Sequence, residues 1–179
     1  MRKLLIVVDY QNDFVDGSAG FEEAKILEKG ICSKVKEYLD NDDKILITLD
    51  THDEKKYLNT REGKSFPIIH CIKGTDGHKL YGNLNSLVKE NKNIFTLEKK
   101  SFGISPQALC EVQKDFGEID YIEIIGIVTN MCVLSNAVMF QNAYPNSEIV
   151  IDSSLCASFN KDLHNKTLEL LKEIHIKIK

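Results

Sequence analysis

No apolar run in this sequence approaches the ~20 residues that a membrane-spanning helix needs, and no two of its five cysteines form a C-x-x-C pair. The first absence speaks against a membrane protein. The cysteines at 32, 71, 110, 132 and 156 are odd in number and widely spaced, so neither a disulfide framework nor a zinc ribbon is indicated. In a reducing compartment most of them are expected to be free thiols in apolar surroundings. Excess basic charge is missing too. The 23 Lys and Arg stand against 27 Asp and Glu, a formal net charge of −4, and the lysines are dispersed. Nucleic acid is therefore not expected as the main ligand, because phosphate binding needs clustered positive charge. There is no internal repeat and no low-complexity linker. With 42% hydrophobic and 28% charged residues, the composition sets aside disordered and collagen-like classes. Met1-Arg2-Lys3 followed by Leu4 to Val8 looks briefly like a signal peptide, but Asp9 ends the apolar run too early. A cytosolic setting is expected.

What is present fits one domain spanning residues 1–179, long enough to bury a sizeable core. Short apolar runs alternate with longer segments of helical period, the pattern of an α/β fold with a mainly parallel sheet between helical layers. Leu4 to Val8, Ile45 to Leu49, Ile94 to Leu97, Tyr121 to Ile125 and Ile149 to Ile151 read as strands buried on both faces. Leu27, Ile31, Val35 and Leu39 make the stripe of one helix. Pro106 opens another through Phe116, and Asn160 to Lys172 has the cap and stripe of a last one. Ile174, Ile176 and Ile178 alternate with polar residues and suggest a final strand. Thr51 to Leu80 fits neither period, and an irregular stretch of that length in a compact domain is usually functional or disordered. Its three histidines, His52, His70 and His78, favour function.

In open parallel sheets, ligands bind beyond the carboxyl ends of the strands. Ionisable residues stand at several predicted strand ends: Asp9, Asp50, Lys99 and Asp152. The fourth strand runs into Gly126-Ile127-Val128-Thr129-Asn130-Met131-Cys132 and then an apolar helical segment, Val133 to Phe140. A thiol at a helix N-terminus feels the positive end of the backbone dipole, which lowers its pKa toward a thiolate. Asp9 can then take the thiol proton and later deliver it to a leaving group, with Lys99 stabilising the charges. Each residue alone has a plainer structural role, a cap, a loop or core packing. Their convergence on one sheet edge is far more specific.

Asp9-Tyr10-Gln11-Asn12-Asp13-Phe14, Glu98-Lys99-Lys100-Ser101-Phe102-Gly103 and Gly126 to Val133 together resemble the isochorismatase-like cysteine hydrolases, a family that includes nicotinamidases. The resemblance runs in order over nearly the whole chain. It implies a three-layer α/β/α fold and a triad of Asp9, Lys99 and Cys132; Lys99 keeps the family's spacing to Ser-Phe-Gly better than Lys100 does. It also implies a cis peptide bond joining Ile127 to Val128, which turns the amides of Val128 and Cys132 toward one point as an oxyanion hole.

Asp50 and His52 lie two apart on an extended segment, so both side chains point the same way, and His70 follows after the loop. Three such ligands can converge with open positions left over, as catalytic zinc sites require. A solvated aspartate and two loop histidines would look the same in spacing alone. Here the resemblance adds weight: Asp50-x-His52 with Phe66-Pro67-Ile68-Ile69-His70-Cys71-Ile72-Lys73-Gly74-Thr75-x-Gly77 is similar to the metal-binding segment of nicotinamidases. Tyr57 and Leu58 occupy the region where many relatives supply another histidine, and Glu62 matches a version that uses glutamate instead. The implied cofactor is a divalent metal held by Asp50, His52, Glu62 and His70; zinc, iron(II) and manganese all suit these ligands. The implied partner is a small heteroaromatic amide, with nicotinamide hydrolysed to nicotinate and ammonia, Phe14 against its ring, and a homo-oligomeric protein. His78 has no motif role and reads as surface loop, while Cys32, Cys110 and Cys156 read as packing thiols. The sequence has no tryptophan, with which nicotinamidases often wall the ring, so any aromatic sandwich must be built differently. A metal-free hydrolase of the isochorismatase type and a non-catalytic binding protein of the same fold stay open on these grounds.

Overall fold

A computed structural model describes all residues, 1–179. Six strands form one sheet: β1 (Lys3–Val8), β2 (Lys44–Asp50), β3 (Ile94–Lys99), β4 (Tyr121–Ile127), β5 (Glu148–Ala157) and β6 (Lys177–Ile178). Their order is β3-β2-β1-β4-β5-β6 and every pairing is parallel. Parallel neighbours need crossovers, and helices supply them: α1 (Asn12–Val15), α2 (Glu22–Lys25), α3 (Glu28–Asp40), α4 (Glu54–Tyr57), α5 (Arg61–Ser65), α6 (Gly82–Glu90), α7 (Pro106–Phe116), α8 (Leu134–Ala143) and α9 (Lys161–Glu173).

Both faces of the central strands are covered, which is why they read as unbroken apolar runs rather than alternating ones; β3, read from the sequence as buried on both faces, is an edge strand that leaves Phe95, Thr96 and Glu98 exposed. Leu5 and Val7 of β1 pack with Ile31, Val35 and Tyr38 of α3 and Leu84 of α6. Leu4, Ile6 and Val8 face the opposite layer, with Leu109 and Phe116 of α7, Phe140 of α8 and Leu171 of α9. Local signals fix the helix ends. Pro106 sits in the first turn of α7 with Ser105 capping Ala108, and Asn160 caps α9 by accepting from the amides of Asp162 and Leu163.

Two further expectations change. β5 does not stop at Ile151: its pairing with β4 shifts register after Ile124 and resumes at Gly126 with Cys156. Asp152 is therefore inside a bulged strand. It accepts hydrogen bonds from Ser154 and lies 3.4 Å from Lys179, away from the strand ends. The final strand is also shorter than the isoleucine alternation suggests, because Ile174 caps α9 and only Lys177–Ile178 pair.

Strand order reverses between β1 and β4: from β1 the chain moves outward to β2 and β3, then returns to β4 on the other side. A crevice opens at such a switch point, beyond the carboxyl ends of the strands. Asp9 follows β1 there and the Gly126–Cys132 segment ends β4.

Candidate active site

The turn after β4 is held from several directions. Gly126 has φ +115°, and a Cβ there would stand 2.2 Å from the Val8 carbonyl oxygen; only glycine lets β4 pass this close to β1. The Ile127–Val128 peptide bond is cis. Thr129–Val133 then forms one π-helical turn leading into α8, a geometry common at functional sites. The Thr129 hydroxyl donates to the Ala157 carbonyl at 2.9 Å, leaving its lone pairs to accept from His164 Nδ1 at 2.9 Å. Asn136, fully buried, donates through Nδ2 to the carbonyls of Cys132 (2.8 Å) and Phe102 (3.2 Å) and accepts from the Ile104 amide (3.0 Å).

Around Cys132 the structure gathers Asp9 and Lys99. Lys99 Nζ lies 2.6 Å from Asp9 Oδ2 and 3.6 Å from Cys132 Sγ, and it donates to the Ser101 carbonyl at 3.0 Å. Lys100 has no contact with Asp9 or Cys132 and is exposed on the lining of the neighbouring cavity. Asp9 adopts φ +48°, a conformation that aspartate tolerates better than most residues. Its Oδ1 accepts from Thr48 Oγ1 at 2.7 Å, whereas Oδ2, although ion-paired, has no well-aligned hydrogen bond and keeps lone pairs for a proton. The turn that holds Cys132 runs straight into the N-terminus of α8. Cys132 sits within the π-helical turn, and burial pushes its thiol well above the ordinary cysteine value, with Lys99 opposing. Burial also pushes the Asp9 carboxyl up, against the pull of Lys99.

A second group lies alongside. One ligand atom each of Asp50, His52, Glu62 and His70 falls within 4.8 Å of the others. His52 Nε2 is 2.8 Å from Asp50 Oδ2 and 3.9 Å from Glu62 Oε1; His70 Nε2 is 3.3 Å and 3.7 Å from the same two atoms. Ligand atoms about 2 Å from a shared centre are separated by roughly 3 to 4 Å, so two imidazoles and two carboxylates at these spacings fit a divalent ion. His70 Nδ1 meets the Ile68 carbonyl at 2.7 Å, the outer contact that aims Nε2 inward. Burial alone would raise the Asp50 carboxyl; hydrogen bonds from His52 and His70, together with Lys99, outweigh it and hold it far below the usual carboxylate range. Burial and the neighbouring Asp50 push Glu62 up.

Cys132 and all four members of the second group line one cavity of about 480 Å³. Val128, Cys132 and Phe14 form part of its wall, with the Phe14 ring 5.1 Å from that of His70. Where a tryptophan wall is missing, phenylalanines stand: Phe66, edge-on to His70 at 5.5 Å, and nearer the mouth Phe102 and Phe159. The sequence reading assigned none of these three. It also gave no role to Gln11, whose amide donates to the carbonyls of Asp50 (3.0 Å) and His78 (2.8 Å) and accepts from the Asp50 amide (2.8 Å), clamping that residue like a neighbouring strand. Asp13, likewise passed over, accepts from the Cys71 amide at 2.7 Å and fixes the turn after His70. Their signal was a polar residue inside an otherwise matched motif. His78 is half-buried and bonded to Thr51 Oγ1 at 2.8 Å, not surface loop. Cys110 is exposed, not packed, because it lies on the outer side of α7.

Residues 3–177 match the family model described as the isochorismatase domain. An uncharacterized isochorismatase family protein, PncA, of Bacillus subtilis is 34% identical over 171 residues, covering 92% of this chain and 91% of that one. The crystal structure of a nicotinamidase, PncA, from the same organism superposes with a TM-score of 0.87 at 32% identity over 99% of both chains. A pyrazinamidase/nicotinamidase from Streptococcus mutans gives a TM-score of 0.87 at 30% identity over 99% of both chains. The six-stranded parallel sheet and the full-length match lead to one assignment: the chain belongs to the isochorismatase family, among members similar to nicotinamidases.

Proposed function

We propose that this chain is a metal-dependent cysteine amidohydrolase that converts nicotinamide to nicotinate and ammonia. The observation that carries the reading is a buried Asp–Lys–Cys group and a four-ligand group opening into one phenylalanine-walled cavity. Similarity to nicotinamidases at 30–32% identity supports the choice of substrate.

In this mechanism Phe14 and Phe66 hold the heteroaromatic ring and turn its carboxamide toward Cys132. Asp9 takes the thiol proton as Sγ attacks the carbonyl carbon, and the carbonyl electron pair moves onto oxygen. The amides of Val128 and Cys132 donate to that oxyanion; one such donor typically contributes about 3 kcal/mol. Asp9 then gives the proton to the amide nitrogen, the C–N bond breaks, and ammonia leaves a thioester on Cys132. Water, deprotonated by Asp9, cleaves the thioester and restores the thiol. Lys99 offsets the charge that moves between Asp9 and Sγ throughout. Asp50, His52, Glu62 and His70 would hold a divalent ion, whose chemistry there is Lewis acidity toward a ring nitrogen of the substrate.

Ammonia release from nicotinamide and several other primary amides, with metal content measured on the same sample, tests the reading. Nicotinamide is expected to be the better substrate and the protein to carry about one divalent ion per chain. The Cys132→Ala variant should lose at least about a thousandfold in rate while keeping its melting temperature. Full activity in that variant, or in protein without metal, would sink the proposal; the second result would favour a metal-free hydrolase.

A further inference from the structure

The cavity is larger than the amide assigned to it. About 480 Å³ lies in the range of drug-sized ligands, roughly 300–1,000 Å³, and a single ring bearing a carboxamide fills only the inner part between Phe14, Phe66 and Cys132. Towards the mouth, Phe102 and Phe159 line the same space while remaining 40% and 44% exposed. Phe159 is braced from behind by Phe21, with ring centroids 4.7 Å apart. Aromatic faces left open to water on one cavity offer apolar area that a ligand can cover.

The mouth also carries charge of one sign. Arg61 and Lys100 line the cavity, are exposed, and have no carboxylate within ion-pair distance. The acidic groups deeper in are already matched, since Lys99 lies against both Asp9 and Asp50 and the ligand group suits a divalent cation. Unpaired positive charge and two exposed aromatic rings thus line the same cavity.

We propose that this outer region is a substrate subsite for an aromatic substituent bearing a carboxylate, so that the enzyme accepts acid-bearing, ring-extended heteroaromatic amides as well as the bare amide. The inner end of such a ligand rests on the amidohydrolase reading above. Phe102 and Phe159 cover the added ring, and the planar fork of Arg61 pairs its carboxylate with Lys100 as a supporting point charge.

The test reads binding apart from turnover. Calorimetry on metal-loaded Cys132→Ala protein compares nicotinamide, a phenyl-substituted nicotinamide and its carboxyphenyl counterpart. The carboxyphenyl probe is expected to bind about fivefold tighter than the phenyl probe at low salt, and the advantage should shrink as salt rises. Adding Arg61→Ala and Lys100→Ala should remove that difference, and Phe159→Ala should weaken both arylated probes relative to nicotinamide. Equal affinity of the two arylated probes, or a difference that survives the double substitution, overturns the proposal, as does binding of nicotinamide with neither arylated probe. Wild-type ammonia release is measured in parallel. If it is absent while the carboxyphenyl preference holds, the amidohydrolase reading fails and the subsite stands.

Discussion

The ammonium of Lys99 touches both halves of the site, with Asp9 at 2.6 Å, Asp50 at 3.5 Å and Cys132 Sγ at 3.6 Å. Removing its charge would leave buried carboxylates without compensation, a change that typically costs about 3 to 5 kcal/mol. Asp9 is the more informative residue for chemistry. Asp9→Asn keeps the shape and removes the base, so kcat should fall by about 10² to 10⁴ with little change in melting temperature. The sign of the pH dependence follows from its environment. Burial raises the Asp9 pKa, so on acidification the carboxylate takes up its proton earlier than a free aspartate does and can no longer accept one from Cys132. The acid limb of kcat/KM against pH is therefore expected above the ordinary value of about 4, and a limb at or below it would contradict the assigned role. At this scale the sequence was most legible where chemistry demands a residue type, as at Asp9, Asp50, His52, His70, Lys99 and Cys132. It was least legible for protonation: a motif shows which groups meet, but the desolvation that pushes the Cys132 thiol up depends on the packing around it.

Elements carry these groups through a few tight contacts. Gly126 is the tightest, and Gly126→Ala combines a positive φ with a Cβ 2.2 Å from backbone. It should destabilise the fold by more than about 2 kcal/mol, seen as a lower urea midpoint, and should reduce kcat because the same residue precedes the Cys132 turn. Unchanged stability would mean that β1 and β4 can separate without cost. Strands covered on both faces were visible as apolar runs, and α7 and α9 through Pro106 and Asn160. β5 was cut short because Asp152-Ser153-Ser154 breaks its apolar pattern where the register shifts. Within residues 51–80, α4 and α5 are too short to show a helical period. Their caps, Asp53 and Thr60, were the only local sign, and it is α5 that brings Glu62 to the imidazoles.

For the whole molecule, the reversal of strand order between β1 and β4 sets both groups at one crevice, and metal and fold should be linked through it. The four ligands come from β2, α5 and the segments before and after it, so an ion crosslinks parts of a long irregular stretch. A ligand that binds only the folded state at about a thousand times its Kd adds roughly 4 kcal/mol. Chelation should accordingly lower the melting temperature by several degrees, at about 2 to 4 °C per kcal/mol for a chain of this size, and abolish ammonia release. Restoring each with zinc, iron(II) or manganese in turn identifies the ion; a melting temperature indifferent to chelator would argue against the ligand set. Strand order itself was not legible in the sequence, since apolar runs say that strands are buried but not which neighbours they choose.

With no tryptophan to collect their excitation, the six tyrosines alone give this protein its near-ultraviolet emission. Tyr57 packs its ring 4.7 Å from His52 and 5.1 Å from His70, so a change in its emission on adding a divalent ion would report binding at the imidazole pair without a label.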